Sequence, residues 1–196
     1  FAGRRLTLRL EHRPAARETH VMDPIVELQA AGVSLGGHPV LRDRDLTLLP
    51  GQTVGVAGPN GSGKTTLVRT VATLVPIDEG ELFLFGRRVD GRDLAAIRSS
   101  IGLIGHQPAL IPELTLFENL VHVCRLTGVD EGRVGRALDV VGLAGAADRR
   151  AQACSFGMKR RVEIAHLLLT RPMLLLLDEA SSGLDEDARG LVGTLV

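Results

Sequence analysis

The sequence predicts an α/β fold built around a mainly parallel sheet, and three observations predict it. Strand-like and helix-like stretches alternate from residue 25 to residue 177. One strand pattern, Thr53 to Ala57, runs straight into a glycine-rich turn and then a periodic helix. An apolar run, Leu174 to Leu177, is too short for a helix of its own and ends on two acids, Asp178 and Glu179. A chain of 196 residues with 44% hydrophobic content can bury a sizeable core without staples. Its two cysteines, Cys124 and Cys154, form neither a disulfide framework nor a metal-ligand spacing, which favours a reducing setting. Basic and acidic side chains number 23 each, so net charge supplies no strong attraction to nucleic acid or anionic lipid. No apolar run approaches the ~20 residues needed to span a bilayer.

Taken in order, residues 1–21 open on the basic stretch Phe1 to Arg17, but Arg9, Glu11, His12 and Arg13 interrupt any apolar stretch a targeting peptide would need. They are expected to form a leader outside the fold, with the domain running over 22–196, because Met22 stands just before the strand pattern Ile25-Val26-Glu27-Leu28. Strands are expected at 25–33, 44–49 and 53–57, then a helix over 64–74 with Leu67, Val68, Val71 and Ala72 at helical spacing. A strand at Glu81 to Phe85, a short helix at 93–99 and a strand at 101–104 follow. Residues 115–127 and 131–142 read as helices, the second from Val134, Leu138 and Val141. A helix over 155–170 is stopped by Pro172. Since 106–170 has almost no strand character, it is expected to be a helical subdomain inserted into the sheet. Leu191 to Val196 stop inside an apolar helical stretch with no glycine cap, so the domain is expected to be incomplete at that end.

The strongest chemical signal is Gly58-Pro59-Asn60-Gly61-Ser62-Gly63-Lys64-Thr65-Thr66, which fits G-x-x-x-x-G-K-[ST] between a strand and a helix. Glycines let successive amides turn inward into a concave nest for phosphate oxygens, and the helix N-terminus adds partial positive charge. Lys64 then reaches the β and γ phosphates, and the Thr65 hydroxyl ligates Mg²⁺. Of the 23 basic residues only Lys64 and Lys159 are lysine. A chain that otherwise uses arginine keeps a compact ammonium here, where a planar guanidinium is too bulky between phosphates. Gly58, Gly61 and Gly63 have the wrong order for the dinucleotide pattern G-x-G-x-x-G. The second signal is Asp178-Glu179 at a buried strand's C-terminal end. Such a pair suits metal-assisted phosphoryl transfer, Asp178 holding Mg²⁺ and Glu179 serving as general base toward water.

With these motifs in order, residues 24–196 resemble an ATP-binding subunit of an ABC transporter. Gln107, in Gly105-His106-Gln107-Pro108, stands at the family's Q-loop glutamine, which the resemblance places on Mg²⁺ and the attacking water. Cys154-Ser155-Phe156-Gly157-Met158 stands at the family signature L-S-G-G-Q. Ser155 and Gly157 are thereby implied to face ATP held by the opposite subunit. Ser182-Gly183-Leu184-Asp185 falls at the D-loop, with Asp185 as its acid. The resemblance implies a P-loop NTPase fold with an antiparallel β region near the N-terminus, ATP and Mg²⁺ as cofactors, and dimerisation around two ATP. It further implies a separate transmembrane permease as partner, at the cytoplasmic face of the cell membrane. The chain departs from the pattern at Phe156 for Gly, Met158 for Gln, Ala180 for Pro, and Leu35 in place of an aromatic that stacks on adenine. The family's switch histidine falls beyond Val196.

His106 reads as a packed or solvated histidine rather than a base, and His12, His20, His38, His122 and His166 share no ligand spacing. Arg149-Arg150 and Lys159-Arg160-Arg161 read as solvated faces, because the chain has no net basic charge and only five aromatics to stack bases, so no nucleic-acid partner is expected. Gln107 to Leu120 is the expected docking surface for a permease's cytoplasmic helix, shaped by Pro108, Pro112 and Phe117. Three functions are carried forward. The first is a transport ATPase subunit, whose Ile104 to Pro108, Leu114-Thr115 and Glu118-Asn119-Leu120 resemble the haem exporter of cytochrome c maturation. The second is a soluble ABC-type ATPase acting on ribosomes or DNA, and the third a truncated fragment that binds nucleotide with little turnover.

Overall fold

A computed structural model describes residues 23–178. The chain divides into two compact units, 1–98 and 99–196. The expected leader and Leu191 to Val196 lie outside the described residues, as do Glu179, Ala180 and the segment from Ser182 to Asp185.

The first unit contains a four-stranded antiparallel sheet in the order β2, β1, β3, β4. Strand β1 (Val26–Leu35) and strand β2 (His38–Leu48) are joined through Gly36 and Gly37, whose φ values of 57° and 79° match the twist of a two-residue hairpin. Val26, Leu28, Ala31 and Val33 turn to the core with Leu41 of β2 and with Leu82 and Leu84 of β3 (Glu79–Leu84). Strand β4 (Arg87–Arg88) pairs with β3. Strand β2 begins six residues before the strand expected at 44–49. Its polar run Arg42-Asp43-Arg44-Asp45 hides the strand from a hydrophobicity pattern, because an edge strand can leave most of its side chains in solvent.

Helix α1 (Lys64–Val71) buries Thr66, Leu67, Thr70 and Val71. It ends three residues short of expectation. Thr73 takes φ 60°, and the Leu74 amide turns back to the Arg69 carbonyl at 2.8 Å, which closes the last turn. Thr53 to Ala57, expected as a strand, joins no ladder among the described residues. Its alternation survives, with Val54 and Val56 half-buried between exposed neighbours. Gly55 at its centre contributes no side chain to packing, which weakens a strand interior. Helix α2 (Leu94–Ser99) is tied to the end of α1 by Arg98, which donates to the Thr73 hydroxyl at 2.8 Å and the Thr73 carbonyl at 2.9 Å.

In the second unit strand β5 (Ile101–Ile104) pairs in parallel with strand β6 (Leu174–Leu177), Ile101 opposite Leu174 and Ile104 opposite Leu177. Between them run helices α3 (Leu116–Thr127), α4 (Val134–Val140) and α5 (Phe156–Thr170). Thr115 caps α3 through a capping box: its hydroxyl accepts from the Glu118 amide at 3.0 Å, and the Glu118 carboxylate accepts from the Thr115 amide at 2.8 Å. The helix expected over 131–142 is broken into a 3-10 turn, Glu131–Arg133, and α4, because Gly132 and Gly135 weaken its first turns. Ile104, Leu116, Leu120, Val134, Leu138, Val162 and Ile164 are almost wholly buried in one core. Each such side chain contributes about 1.5–3 kcal/mol by leaving water. No helix among the described residues is long and apolar enough to cross a membrane.

Candidate functional site

The first unit carries the glycine-rich loop. Gly61 and Gly63 take φ values of 77° and 96°, backbone that a side chain would strain. Gly63 is also packed against β2, where an added Cβ would meet Leu41 at 3.0 Å and Val40 at 3.2 Å. The loop closes with the Ser62 amide on the Pro59 carbonyl at 3.2 Å, and the Leu67 amide finds Gly63 at 2.8 Å. Lys64 folds back over the loop and donates to the Gly58 carbonyl at 2.8 Å and the Pro59 carbonyl at 3.0 Å. Gly58, Asn60 and Gly61 are exposed, Thr65 is half-buried and Thr66 is buried. Among the described residues no side chain caps α1, no acid stands in its first turn, and the buried Ser62 hydroxyl has no hydrogen-bond partner. An uncapped helix start, an ammonium and an orphaned hydroxyl gathered on one loop suit an anion with several oxygens. Leu35, at the position noted for adenine stacking, is 45% exposed.

The second unit carries the remaining described candidates. Parallel pairing brings the C-terminal ends of β5 and β6 side by side, and the Asp178 amide donates to the Ile104 carbonyl at 2.9 Å. Asp178 is buried at the end of β6, and Gln107 is exposed three residues beyond β5. Among the described residues no group of three His, Cys, Asp or Glu side chains could hold a metal ion by itself. Ser155 caps α5, its hydroxyl accepting from the Met158 amide at 3.2 Å, so its structural and its expected roles share one atom. A Cβ at Gly157 would meet nothing within 4 Å among the described residues, so their packing does not require glycine there.

One sequence expectation is overturned at this helix. Arg160, read as part of a solvated basic face, is 2% exposed. Its Nη1 lies 2.7 Å from Glu163 Oε2, and its Nη2 donates to the His106 carbonyl at 3.0 Å. The other Glu163 oxygen accepts from the Ala109 amide at 3.0 Å. Burial pushes the Glu163 carboxyl above its usual value, against the downward pull of the Ala109 amide and of Arg160. The signal was available in the spacing, because Arg160, Glu163, Ile164 and Leu167 fall at i, i+3, i+4 and i+7 and therefore share the buried face of α5. Arg149 and Arg150 are exposed, as expected. His106 is exposed and meets Arg160 through its backbone carbonyl.

A family model described as ABC transporter matches residues 41–182, well over half of the chain. The chain is 36% identical over 176 residues to a cytochrome c biogenesis ATP-binding export protein of Cupriavidus metallidurans, covering 89% of this chain and 83% of that one. It is 41% identical over 169 residues to an Fe(3+) ions import ATP-binding protein of Streptomyces avermitilis. That match covers 84% of this chain but only 48% of the relative, so the chain spans about half that protein's length. Among solved structures, it resembles a dimeric ATP-binding cassette in a post-hydrolysis state bound to ADP and Pi. The likeness has TM-score 0.75 at 26% identity, over 87% of this chain and 80% of that one. A P-loop NTPase fold is common to these structures, and the chain belongs to the ABC transporter family.

Proposed function

We propose that the chain is the ATP-binding and ATP-hydrolysing part of an ABC transporter subunit, which pairs with a second nucleotide-binding subunit around two ATP and drives a separate membrane permease. The observation that carries this reading is Lys64, whose ammonium is held over a loop of left-handed glycines at the uncapped start of α1. Gly58, Asn60, Gly61, Ser62, Gly63, Thr65 and Thr66 complete the cradle, and Lys64 exchanges its two carbonyls for β and γ oxygens. Mg²⁺, when bound, neutralises charge on the phosphates. By the family resemblance, Thr65, Asp178 and Gln107 would be the residues that hold it, each with an oxygen donor suited to a hard cation. Glu179 takes a proton from the attacking water, and Ser155 with Gly157 faces the nucleotide held by the second subunit. Asp185 belongs to the contact between the two subunits.

The cargo reading is haem export for cytochrome c biogenesis. It is supported by the Cupriavidus relative, which the chain matches over 83% of its length. The Fe(3+) ions import ATP-binding protein at 41% identity and a spermidine/putrescine import ATP-binding protein of Aggregatibacter actinomycetemcomitans at 35% are as similar, so the membrane protein that co-purifies with the subunit decides between them. Calorimetry tests the nucleotide site. The chain is expected to bind Mg-ATP, Lys64→Ala to lose that heat while keeping its fold, and Glu179→Gln to keep binding while losing turnover. A folded chain that gives no heat with ATP refutes the proposal.

A further inference from the structure

We propose that the buried Arg160–Glu163 pair is a positioning device for Gln107, joining the start of α5 to the loop that carries the glutamine. The inference rests on the reading of Gln107 as a participant in nucleotide turnover. The four residues from His106 to Ala109 lie outside any helix or strand, and Pro108 has no amide to anchor them. They are gripped at both ends from one helix: Arg160 takes the His106 carbonyl at 3.0 Å, and Glu163 takes the Ala109 amide at 3.0 Å. Gln107 and Pro108 lie between these anchors, so the backbone is held while the glutamine side chain stays exposed.

Energetics favour a positioning role over a purely structural one. A buried ion pair is a poor route to stability, since apolar residues of similar volume are often equal or better. This pair is also imperfectly satisfied, because Arg160 Nε is buried without a partner among the described residues. What an apolar pair cannot do is hold one carbonyl and one amide three residues apart. The same guanidinium lies 5.2 Å from the centre of the Phe156 ring, one residue after Ser155. A displacement of the first turn of α5, where Ser155 and Gly157 would meet the second subunit's nucleotide, is therefore carried through Arg160 to the backbone on either side of Gln107.

The test is a double-mutant cycle on the full chain, read in steady-state ATP hydrolysis, with ATP affinity measured separately by calorimetry. Arg160→Met is expected to lower kcat at least tenfold while ATP affinity changes less than threefold. Arg160→Lys is expected to recover only part of the loss, because an ammonium cannot span Glu163 and His106 as a planar fork does. In a Gln107→Ala background, Arg160→Met is expected to lower kcat no further, whereas a general loss of stability would act equally in both backgrounds. If Arg160→Met does not fold, Glu163→Gln is read in the same cycle. That variant keeps the acceptor for the Ala109 amide but loses the charge facing Arg160. Additive losses overturn the proposal, and so does an unchanged kcat in the folded Arg160 and Glu163 variants. A Gln107→Ala variant with wild-type kcat also overturns it, while absence of ATP binding by the unaltered chain is the separate failure of the nucleotide reading.

Discussion

Asn119, 5% exposed on α3, makes four side-chain hydrogen bonds to the loop before its own helix. Its Oδ1 accepts from the Ile111 amide at 2.8 Å. Its Nδ2 donates to the carbonyls of Ile111 at 3.1 Å, Leu114 at 3.3 Å and Thr115 at 2.8 Å. Asn119→Ala removes all four, but unequally. Each carbonyl keeps another donor: Leu114 N for Ile111, Ala151 N for Leu114, and the Asn119 amide itself for Thr115. Only the Ile111 amide is left without its acceptor, which costs about 1–3 kcal/mol, and the weakened carbonyl contacts add roughly 1 kcal/mol more. The expected loss is about 2–4 kcal/mol, concentrated in residues 109–116. Amide hydrogen exchange at Ile111 should accelerate by about 30-fold to 1000-fold if that loss is local. Asn119→Asp has nearly the same shape and keeps the Ile111 acceptor, yet it turns a carboxylate toward three carbonyl oxygens. It should therefore be more damaging than Ala. Unchanged exchange at Ile111, or an aspartate variant milder than alanine, would refute the assignment of this loop's rigidity to the amide side chain.

Two further outcomes are expected. Thr115→Ala removes the hydroxyl that receives the Glu118 amide and should lower stability by about 1 kcal/mol in a urea titration, with the slope unchanged. Burial holds the half-buried His166 below the ordinary histidine pKa, so the unfolded chain binds its proton more readily than the folded one. Its contribution is complete above the unfolded pKa of about 6.5 and is lost as pH falls from there toward the folded value. His166→Gln should flatten the fall in urea midpoint between pH 7 and pH 5 relative to the unaltered chain, and parallel curves would refute this.

Much of the second unit was legible because local signals and burial agree there. Ile101 to Ile104 and Leu174 to Leu177 are short apolar runs that do pair as strands, although the second is not the buried strand expected, since Leu174 alone is buried and Leu177 is 45% exposed; Thr115 and Ser155 cap α3 and α5. Strand β2 was only half legible, since its first residues obey an edge position rather than an alternating pattern. Thr53 to Ala57 shows the opposite case, a strand period without a ladder, because alternation records which face is covered and not which backbone lies alongside. In the site, Lys64 and Ser62 were visible as a motif. The Arg160 contacts were not, because a triplet of basic residues looks solvated until its helical phase is set against the apolar stripe beside it.

Lys64 has a consequence for ligand selection. With its ammonium already satisfied by Gly58 and Pro59, the loop makes any newcomer compete with two backbone oxygens for the same cation. On the proposed reading, affinity reports a difference between rival acceptors rather than a gross attraction. A nucleoside monophosphate, whose lone phosphate must both fill the amide nest and draw the lysine away, then binds far less well than a chain of three. The self-contact thus acts as a threshold that only a sufficiently long polyanion crosses.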